Sequence, residues 1–324
     1  MRASYGHGVE PTWQDPAWLQ GAHAWIDARL GDLGRVRNGE IAQPHVREWS
    51  TVMRVPTAGG DVWFKANHEP LRHEAALLEV LARRCPDIVP PLLARDEELG
   101  WMLMTDAGEW LRTVVPAERS LDRWRDVLAA YARVQIAATP DVDTLLALGV
   151  PDMRLATLPE KLERLLVAVD AEPRFHRSVP RVAELCEELA AFGIPETIQH
   201  DDLHDGQVFV RDGRNLVLDW GDACVSHPFL SLSVTLEGVI AWGLDDVENS
   251  VDIAPFRDAY LEPFTSLAPR SELEPAFAAA LRLGWICRAL NVERYASVLD
   301  SPHREELLEG VPLRLRLAWK IDGN

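Results

Sequence analysis

The 324-residue chain has no apolar run long enough to cross a bilayer. Its most apolar stretch, Leu230 to Leu244, is interrupted by Glu237 and falls short of the roughly 20 residues a spanning helix needs. The opening residues, Met1 to Gly8, lack the apolar core of a signal peptide. Both features lead to the expectation of a cytoplasmic protein. The four cysteines, Cys85, Cys186, Cys224 and Cys287, show no C-x-x-C spacing. That argues against a zinc site built from them and against a disulfide framework, and they are expected to act as small buried apolar residues. Positive charge is short: 33 Lys and Arg face 51 Asp and Glu, for a net charge of −18. Such a chain repels phosphate backbones and anionic lipid, so the expected partners include no nucleic acid and no membrane, whereas a cationic ligand would be attracted. Internal repeats and low-complexity segments are also missing.

What is present reads as an ordinary globular chain, with 47% hydrophobic and 26% charged residues, long enough for two domains or one large two-lobed unit. Asp15-Pro16 supplies an N-cap and a first-turn proline for a helix. Trp18, Ala22, Trp25, Ile26 and Leu30 follow at helical spacing, with Gly31 as the expected stop. From Ser50 the period changes. Residues 51–55 and 61–66 read as strands around the turn Pro56 to Gly60. Pro70 leads into a short helix with Ala75, Leu78 and Leu81 on one face. Val89 to Ala94 and Trp101 to Met104 read as two more strands. Asp106-Ala107-Gly108 breaks the pattern and is the expected hinge. Beyond it the periodicity is helical, including Leu230 to Trp242 and Ala279 to Leu290. One hairpin interrupts it: Gln207 to Val210, a turn over Arg211 to Asn215, then Leu216 to Trp220. The expected organisation is a small β-rich lobe over 1–105 and a larger, mainly helical lobe over 106–324.

Chemistry concentrates in His200-Asp201-Asp202-Leu203-His204-Asp205-Gly206-Gln207 and in Asp219-Trp220-Gly221-Asp222. A hairpin brings the ends of its two strands together, so Asp202, the amide of Gln207 and Asp219 are expected to converge. Phosphoryl transfer calls for such a set. Side-chain oxygens of Asp219 and Gln207 suit Mg²⁺, and Asp202, free of the metal, suits a base that orients the attacking hydroxyl.

The H-x-D-L-H-x-x-N pattern, a short hairpin and a D-W-G-D-like segment resemble the aminoglycoside phosphotransferases and the related choline and sugar kinases. The resemblance extends over nearly the whole chain and implies a two-lobed, α+β, protein-kinase-like fold. It implies an ATP-dependent transfer, or one using GTP in its place, with Mg²⁺, to the hydroxyl of a small molecule. A cationic acceptor such as an aminoglycoside or amino sugar is the expectation; another sugar, a macrolide or choline is the alternative, and the oligomeric state is left open, a monomer included. The resemblance further implies that Lys65 holds the α- and β-phosphates with Glu74 as its orienting partner. The turn before Ser50 would cover the phosphates without a G-x-G-x-x-G pattern, and adenine would lie against backbone near Met104 to Asp106. Two departures stand out. Gln207 replaces the metal-binding asparagine, and Ser231 stands four residues after His227, where the family often has Asp.

Each assignment has a plainer rival. Asp202 and Asp219 could be solvated turn carboxylates, Gln207 a hairpin-start residue and Lys65 a surface lysine on an edge strand. Glu74 competes with Glu79, one turn on. Asp201, Asp205 and Asp222 either sit at the site mouth or are merely solvated. His200 and His204 could in principle bind zinc, but loop bracing suits them better, since strand-like sequence follows at once. Trp242 and Trp285 could line a pocket, with core the expectation. The acceptor pocket is expected after Leu230, where Glu237, Asp245, Asp246, Glu248, Arg288 and Glu293 occur. A nucleotide-binding module impaired in catalysis, marked by Gln207, is the rival from another class.

Overall fold

The computed structural model describes residues 12–297, 299 and 301–319. The stretch Met1 to Gly8 lies outside the described residues. No described helix is long and apolar enough to cross a membrane. The chain divides into two compact units, 1–75 with 92–106, and 76–91 with 107–324.

The first unit is an antiparallel sheet packed on one helix. Helix α1 (Pro16–Asp32) starts where Asp15 accepts a hydrogen bond from the Trp18 amide at 2.9 Å. Its buried face is Ala22, Ile26 and Leu30. The chain does not stop at Gly31. Gly34, at φ +67°, makes the turn instead, because the left-handed conformation falls there. Strands β1 (Ala42–Val46), β2 (Ser50–Val55), β3 (Val62–Asn67), β4 (Leu92–Asp96) and β5 (Trp101–Thr105) stand in the order β1-β2-β3-β5-β4. Strand β1 has no signature in the periodicity. It carries Pro44, which a sheet tolerates at an edge, and edge position is where it lies. The fourth strand begins at Leu92 rather than Val89, after Pro90-Pro91. Trp13, Ile26, Leu30, Met53, Phe64, Trp101 and Leu103 share one core, with Trp18, Trp25, Phe64 and Trp101 meeting edge to face or tilted. Helix α2 (Glu74–Arg84) begins in this unit.

The second unit is mainly helical: α3 (Leu111–Glu118), α4 (Arg123–Ala138), α5 (Val142–Ala147), α6 (Leu158–Ala168), α7 (Pro173–His176), α8 (Val179–Ala190), α9 (Ala254–Leu261), α10 (Arg270–Ala296), α11 (Ser301–Leu308) and α12 (Val311–Trp319). Two small antiparallel sheets are set among them. One joins β6 (Glu109–Trp110), β8 (Val208–Arg211) and β9 (Arg214–Val217); the other joins β7 (Thr197–Gln199) and β10 (Cys224–Ser226). The β8–β9 turn is Asp212-Gly213 with φ +52° and +77°, the positive pair that a two-residue hairpin turn requires. Gly108 has φ +90°, and a Cβ there would lie 2.3 Å from the Val210 carbonyl oxygen, so β6 can approach β8 only with glycine at this position.

The apolar run 230–242 is not an α-helix. It breaks into a 3₁₀ turn (Pro228–Ser231), a π turn (Ser233–Glu237) and another 3₁₀ turn (Ile240–Trp242). The cause is α10, where Gly284 admits Ser233 and the Leu230 carbonyl so closely that a Cβ would sit 2.1 Å from Ser233 Oγ. Ser233 Oγ donates to Leu281 O at 2.9 Å, a contact that fixes the widened turn against α10. The described cysteines are free thiols, and Cys186, Cys224 and Cys287 are buried as expected.

Candidate active site

The loop carrying Asp202 runs from the end of β7, and the buried residues beneath it explain its shape. Tyr131, on α4, accepts from the His200 amide at 2.8 Å. Ser231 Oγ donates to Gln199 Oε1 at 2.8 Å and accepts from the Asp201 amide at 3.2 Å. With its own proton committed to Gln199, Ser231 Oγ takes the Tyr131 hydroxyl proton at 2.8 Å. Gln135 donates to the carbonyls of Ile198 and Pro228 and accepts from Tyr260. On the far side of Asp202, Thr235 Oγ1 donates to the Leu203 carbonyl at 2.7 Å. The backbone is thus pinned on both flanks, and that network holds Asp201 at φ +65°, a strained value for a residue with a side chain.

Ser231 therefore does the loop-fixing work, with a hydroxyl bonding to Gln199, Tyr131 and the Asp201 amide. Tyr131 and Gln135 carry no signal in the sequence beyond helical spacing on α4. Their polar atoms could have been suspected, because a buried helix face offers them no water.

Asp202 is partly exposed and its carboxylate is not solitary. Arg288, on α10, donates from Nη1 to Asp222 Oδ2 at 2.9 Å, while its Nη2 forms an ion pair with Asp202 Oδ2 at 2.9 Å and its Nη1 lies 3.7 Å from Asp201 Oδ2. Asn291 donates to Asp201 Oδ2 and, at 3.0 Å, to the Asp222 carbonyl. Arg288 was foreseen only as one unranked residue of an acceptor pocket. The signal for it is Arg288, Asn291 and Arg294, spaced by three along the mostly buried C-terminal half of the helix. Asp201 is buried, neither at a site mouth nor solvated. Burial pushes Asp201 up, and pushes Asp222 up to about 7 even beside Arg288. Burial also works against ionised Asp202, but Arg288, His204 and His200 outweigh it and hold the carboxyl below its ordinary value. Asp202 is thus the carboxyl of the cluster held toward its ionised form, whereas burial favours the protonated forms of Asp201 and Asp222.

The histidines brace the loop. His200 is fully buried and donates from Nε2 to the Leu218 carbonyl at 2.9 Å, tying the Asp202 loop to the Asp219 segment. His204 Nδ1 accepts from the Gly206 amide at 2.9 Å, which leaves Nε2 protonated, 3.7 Å from Asp202 Oδ2. Arg112 bridges His204 and Asp205, and a Cβ at Gly206 would collide with it at 2.1 Å. No group of three or more His, Cys, Asp or Glu among the described residues could hold a metal ion.

Gln207 and Asp219 lie at the adjoining ends of the β8–β9 hairpin, where the Leu218 amide donates to the Gln207 carbonyl at 2.9 Å. Asp219 is exposed, has φ +60°, and is close enough to Asp202 and Asp222 to work against their ionisation. A carboxylate and an amide oxygen are hard donors of the kind Mg²⁺ takes when phosphates complete its shell.

In the first unit, Lys65 Nζ pairs with Glu74 at 2.6 Å from Oε2 and 2.9 Å from Oε1. Glu74, not Glu79, is its partner, and Lys65 is buried rather than a surface lysine. Ser50 opens β2, buried, its carbonyl accepting from the Arg47 amide at 2.8 Å. Met104 is buried in β5, and Asp106 Oδ1 accepts from Trp63 Nε1 at 3.0 Å. Glu237 accepts from Trp285 Nε1 at 2.7 Å, and Trp242 Nε1 donates to the Glu237 carbonyl, so these half-buried rings are bound up with Glu237. Asp245 and Asp246 are exposed.

Structures of known phosphotransferases share the architecture. An ethanolamine kinase from Plasmodium vivax aligns with TM-score 0.62 at 10% identity, over 86% of this chain and 82% of its own. The GDP complex of aminoglycoside 2'-phosphotransferase-IIIa gives 0.58 at 11%, over 93% and 99%. A macrolide 2'-phosphotransferase from Brachybacterium faecium gives 0.54 at 17%, over 89% and 97%. The fold is accordingly α+β and protein-kinase-like. No curated protein sequence matches the chain. The model of the APH phosphotransferase enzyme family matches residues 44–270, well over half of the chain, and spans both the Lys65–Glu74 pair and the Asp202 loop: the chain belongs to the phosphotransferase enzyme family.

Proposed function

We propose that the protein moves the γ-phosphate of ATP, or of GTP, to a hydroxyl of a small molecule, with Asp202 as the base. The observation that carries this is the Asp202 carboxylate itself. It is ionised, on a loop pinned on both flanks, with one oxygen held by Arg288 and the other making no hydrogen bond among the described residues. A base for an acceptor hydroxyl needs such an oxygen. Lys65, steadied by Glu74, would contact the α- and β-phosphates, and backbone near Ser50 and between Met104 and Asp106 would contact the rest of the nucleotide. Residues 1–105 would serve the nucleotide and 106–324 the catalysis and acceptor. Asp219 and Gln207 would hold Mg²⁺, which when bound neutralises phosphate charge.

An aminoglycoside or amino sugar is the acceptor class to test first, with a neutral sugar, a macrolide, choline or ethanolamine as alternatives. Asp201, Asp205, Asp222 and Glu237 are already engaged inside the protein, so a cationic acceptor would rely on Asp245 and Asp246. The test is ADP release from MgATP against kanamycin, glucosamine, erythromycin, choline and ethanolamine. Acceptor-dependent release that Asp202→Asn abolishes supports the proposal. Nucleotide binding without turnover on any acceptor would favour the impaired module.

A further inference from the structure

We infer that Arg288 is the positioning residue for Asp202, an inference that rests on the base assignment above. Arg288 lies within the 27-residue helix α10, its side chain 13% exposed, and its guanidinium grips two carboxylates at once. Its planar fork is oriented by the hydrogen bond to Asp222 and brings the charge of the other arm against Asp202, which an ammonium on a flexible stem does not. The anchor opposite Asp202 is itself held. Asn291 ties the Asp222 backbone carbonyl and the Asp201 carboxylate to the same face of α10. Gln199 donates to Asp201 Oδ1 at 3.3 Å. Arg288 therefore cannot follow Asp202 if that side chain rotates; Asp202 must conform to Arg288.

Arg288 and His204 both approach the same oxygen of Asp202. Arg288 Nη2 lies 2.9 Å and His204 Nε2 3.7 Å from Oδ2. The other oxygen, Oδ1, is thereby presented to an acceptor hydroxyl. In the transfer, the acceptor O–H bond breaks and its proton goes to Oδ1. The electron pair left on the acceptor oxygen forms the bond to the γ-phosphorus, and the bond to the nucleotide's leaving oxygen breaks. Asp202 is then neutral, and Arg288 keeps its hydrogen bond to Asp222 at 2.9 Å. A pair serving only the fold would gain nothing from this second partner at the moment of transfer.

Two readouts test the inference. The first is a high-resolution crystal structure of the parent and of Arg288→Met. Asp202 should occupy one rotamer in the parent and several in the variant; an unchanged single rotamer in a folded Arg288→Met would overturn the inference. The second is ADP release from MgATP with whichever of kanamycin, glucosamine, erythromycin, choline or ethanolamine is turned over. In Arg288→Met kcat should fall by about 10- to 10²-fold with the KM for MgATP nearly unchanged, since misplacement by an ångström costs that much. Arg288→Lys, which also serves if Arg288→Met does not fold, should lose less. Ethylguanidinium should restore part of the activity of Arg288→Ala. The double variant Asp202→Asn/Arg288→Met should be no slower than Asp202→Asn alone; losses that multiply would overturn the inference. Parental turnover in Asp202→Asn would bring down the base assignment and this inference with it. Parental turnover in Arg288→Met beside an inactive Asp202→Asn would bring down this inference alone.

Discussion

Lys65 Nζ stands 2.6 Å from Glu74 Oε2, with the two side chains 8% and 1% exposed, and Asn67 donates to the same carboxylate oxygen at 2.7 Å. A buried pair of this kind is costly to break from one side. Lys65→Met leaves a carboxylate without its cation, and the expected loss of stability is about 3–5 kcal/mol. The companion substitution Glu74→Gln in the same chain should recover much of it. If Lys65 also contacts phosphate, Lys65→Met weakens ATP binding far more than adenosine binding, which calorimetry with both ligands would read. Equal weakening of the two would make the pair purely structural.

That pair was anticipated from the family resemblance, with Glu79 as its rival, and the structure decides for Glu74. The β8–β9 hairpin was legible in the sequence itself, since Asp212-Gly213 is local turn chemistry. What the sequence concealed is long-range. Pro44 hides β1 by spoiling its alternation, and edge position tolerates what a central strand would not. The run 230–242 shows helical spacing, but its hydrogen bonds are reset by Gly284 and Leu281, some 50 residues away. Arg288 has the same obscurity. Nothing in the spacing of α10 states that this one of its arginines meets a loop 86 residues earlier.

Asp202→Asn keeps the shape of the side chain and removes its capacity to take a proton. Turnover with a productive acceptor should drop by roughly 10²–10⁴-fold, with nucleotide affinity close to the parent's. Steady-state kinetics and nucleotide titration together check this. Turnover close to the parent's would remove Asp202 from the chemistry.

Asp219→Ala should abolish the metal dependence of nucleotide binding, because it deletes the charged oxygen donor of the proposed Mg²⁺ pair. Gln207→Asn should leave Mg²⁺–ATP binding intact or tighter, the shorter amide having less rotamer freedom to lose. Titration of Gln207→Ala decides its part: a curve identical to the parent's would make Gln207 a hairpin residue only.

Ser231→Ala strips partners from Gln199, the Tyr131 hydroxyl and the Asp201 amide, all in a fully buried pocket. Unsatisfied buried groups cost about 1–3 kcal/mol, so the melting temperature should drop measurably. Turnover should fall further than stability accounts for, since Asp201 precedes the base. Unaltered kinetics at a temperature well below unfolding would show that Tyr131 and Thr235 hold the loop without Ser231.

Asp222 sets a pH dependence of its own. Burial raises its carboxyl from the ordinary 3.8 to about 7, so the folded chain binds this proton more tightly than the unfolded chain does. Its contribution to stability is therefore complete below pH about 4 and is lost as the pH rises through about 7. Asp202 acts in the opposite sense. Its folded value is depressed, so its contribution is present above the ordinary carboxylate range and is lost as the pH falls through the lowered one. Between pH 4 and 7 the Asp222 effect should dominate the pair, and Asp222→Asn should flatten that part of the stability curve. Denaturant melts of parent and variant across pH 4 to 8 measure the difference. Parallel curves would mean that Arg288 keeps Asp222 ionised in the folded chain, and that Asp222 is a charged anchor rather than the proton-bearing member of the cluster.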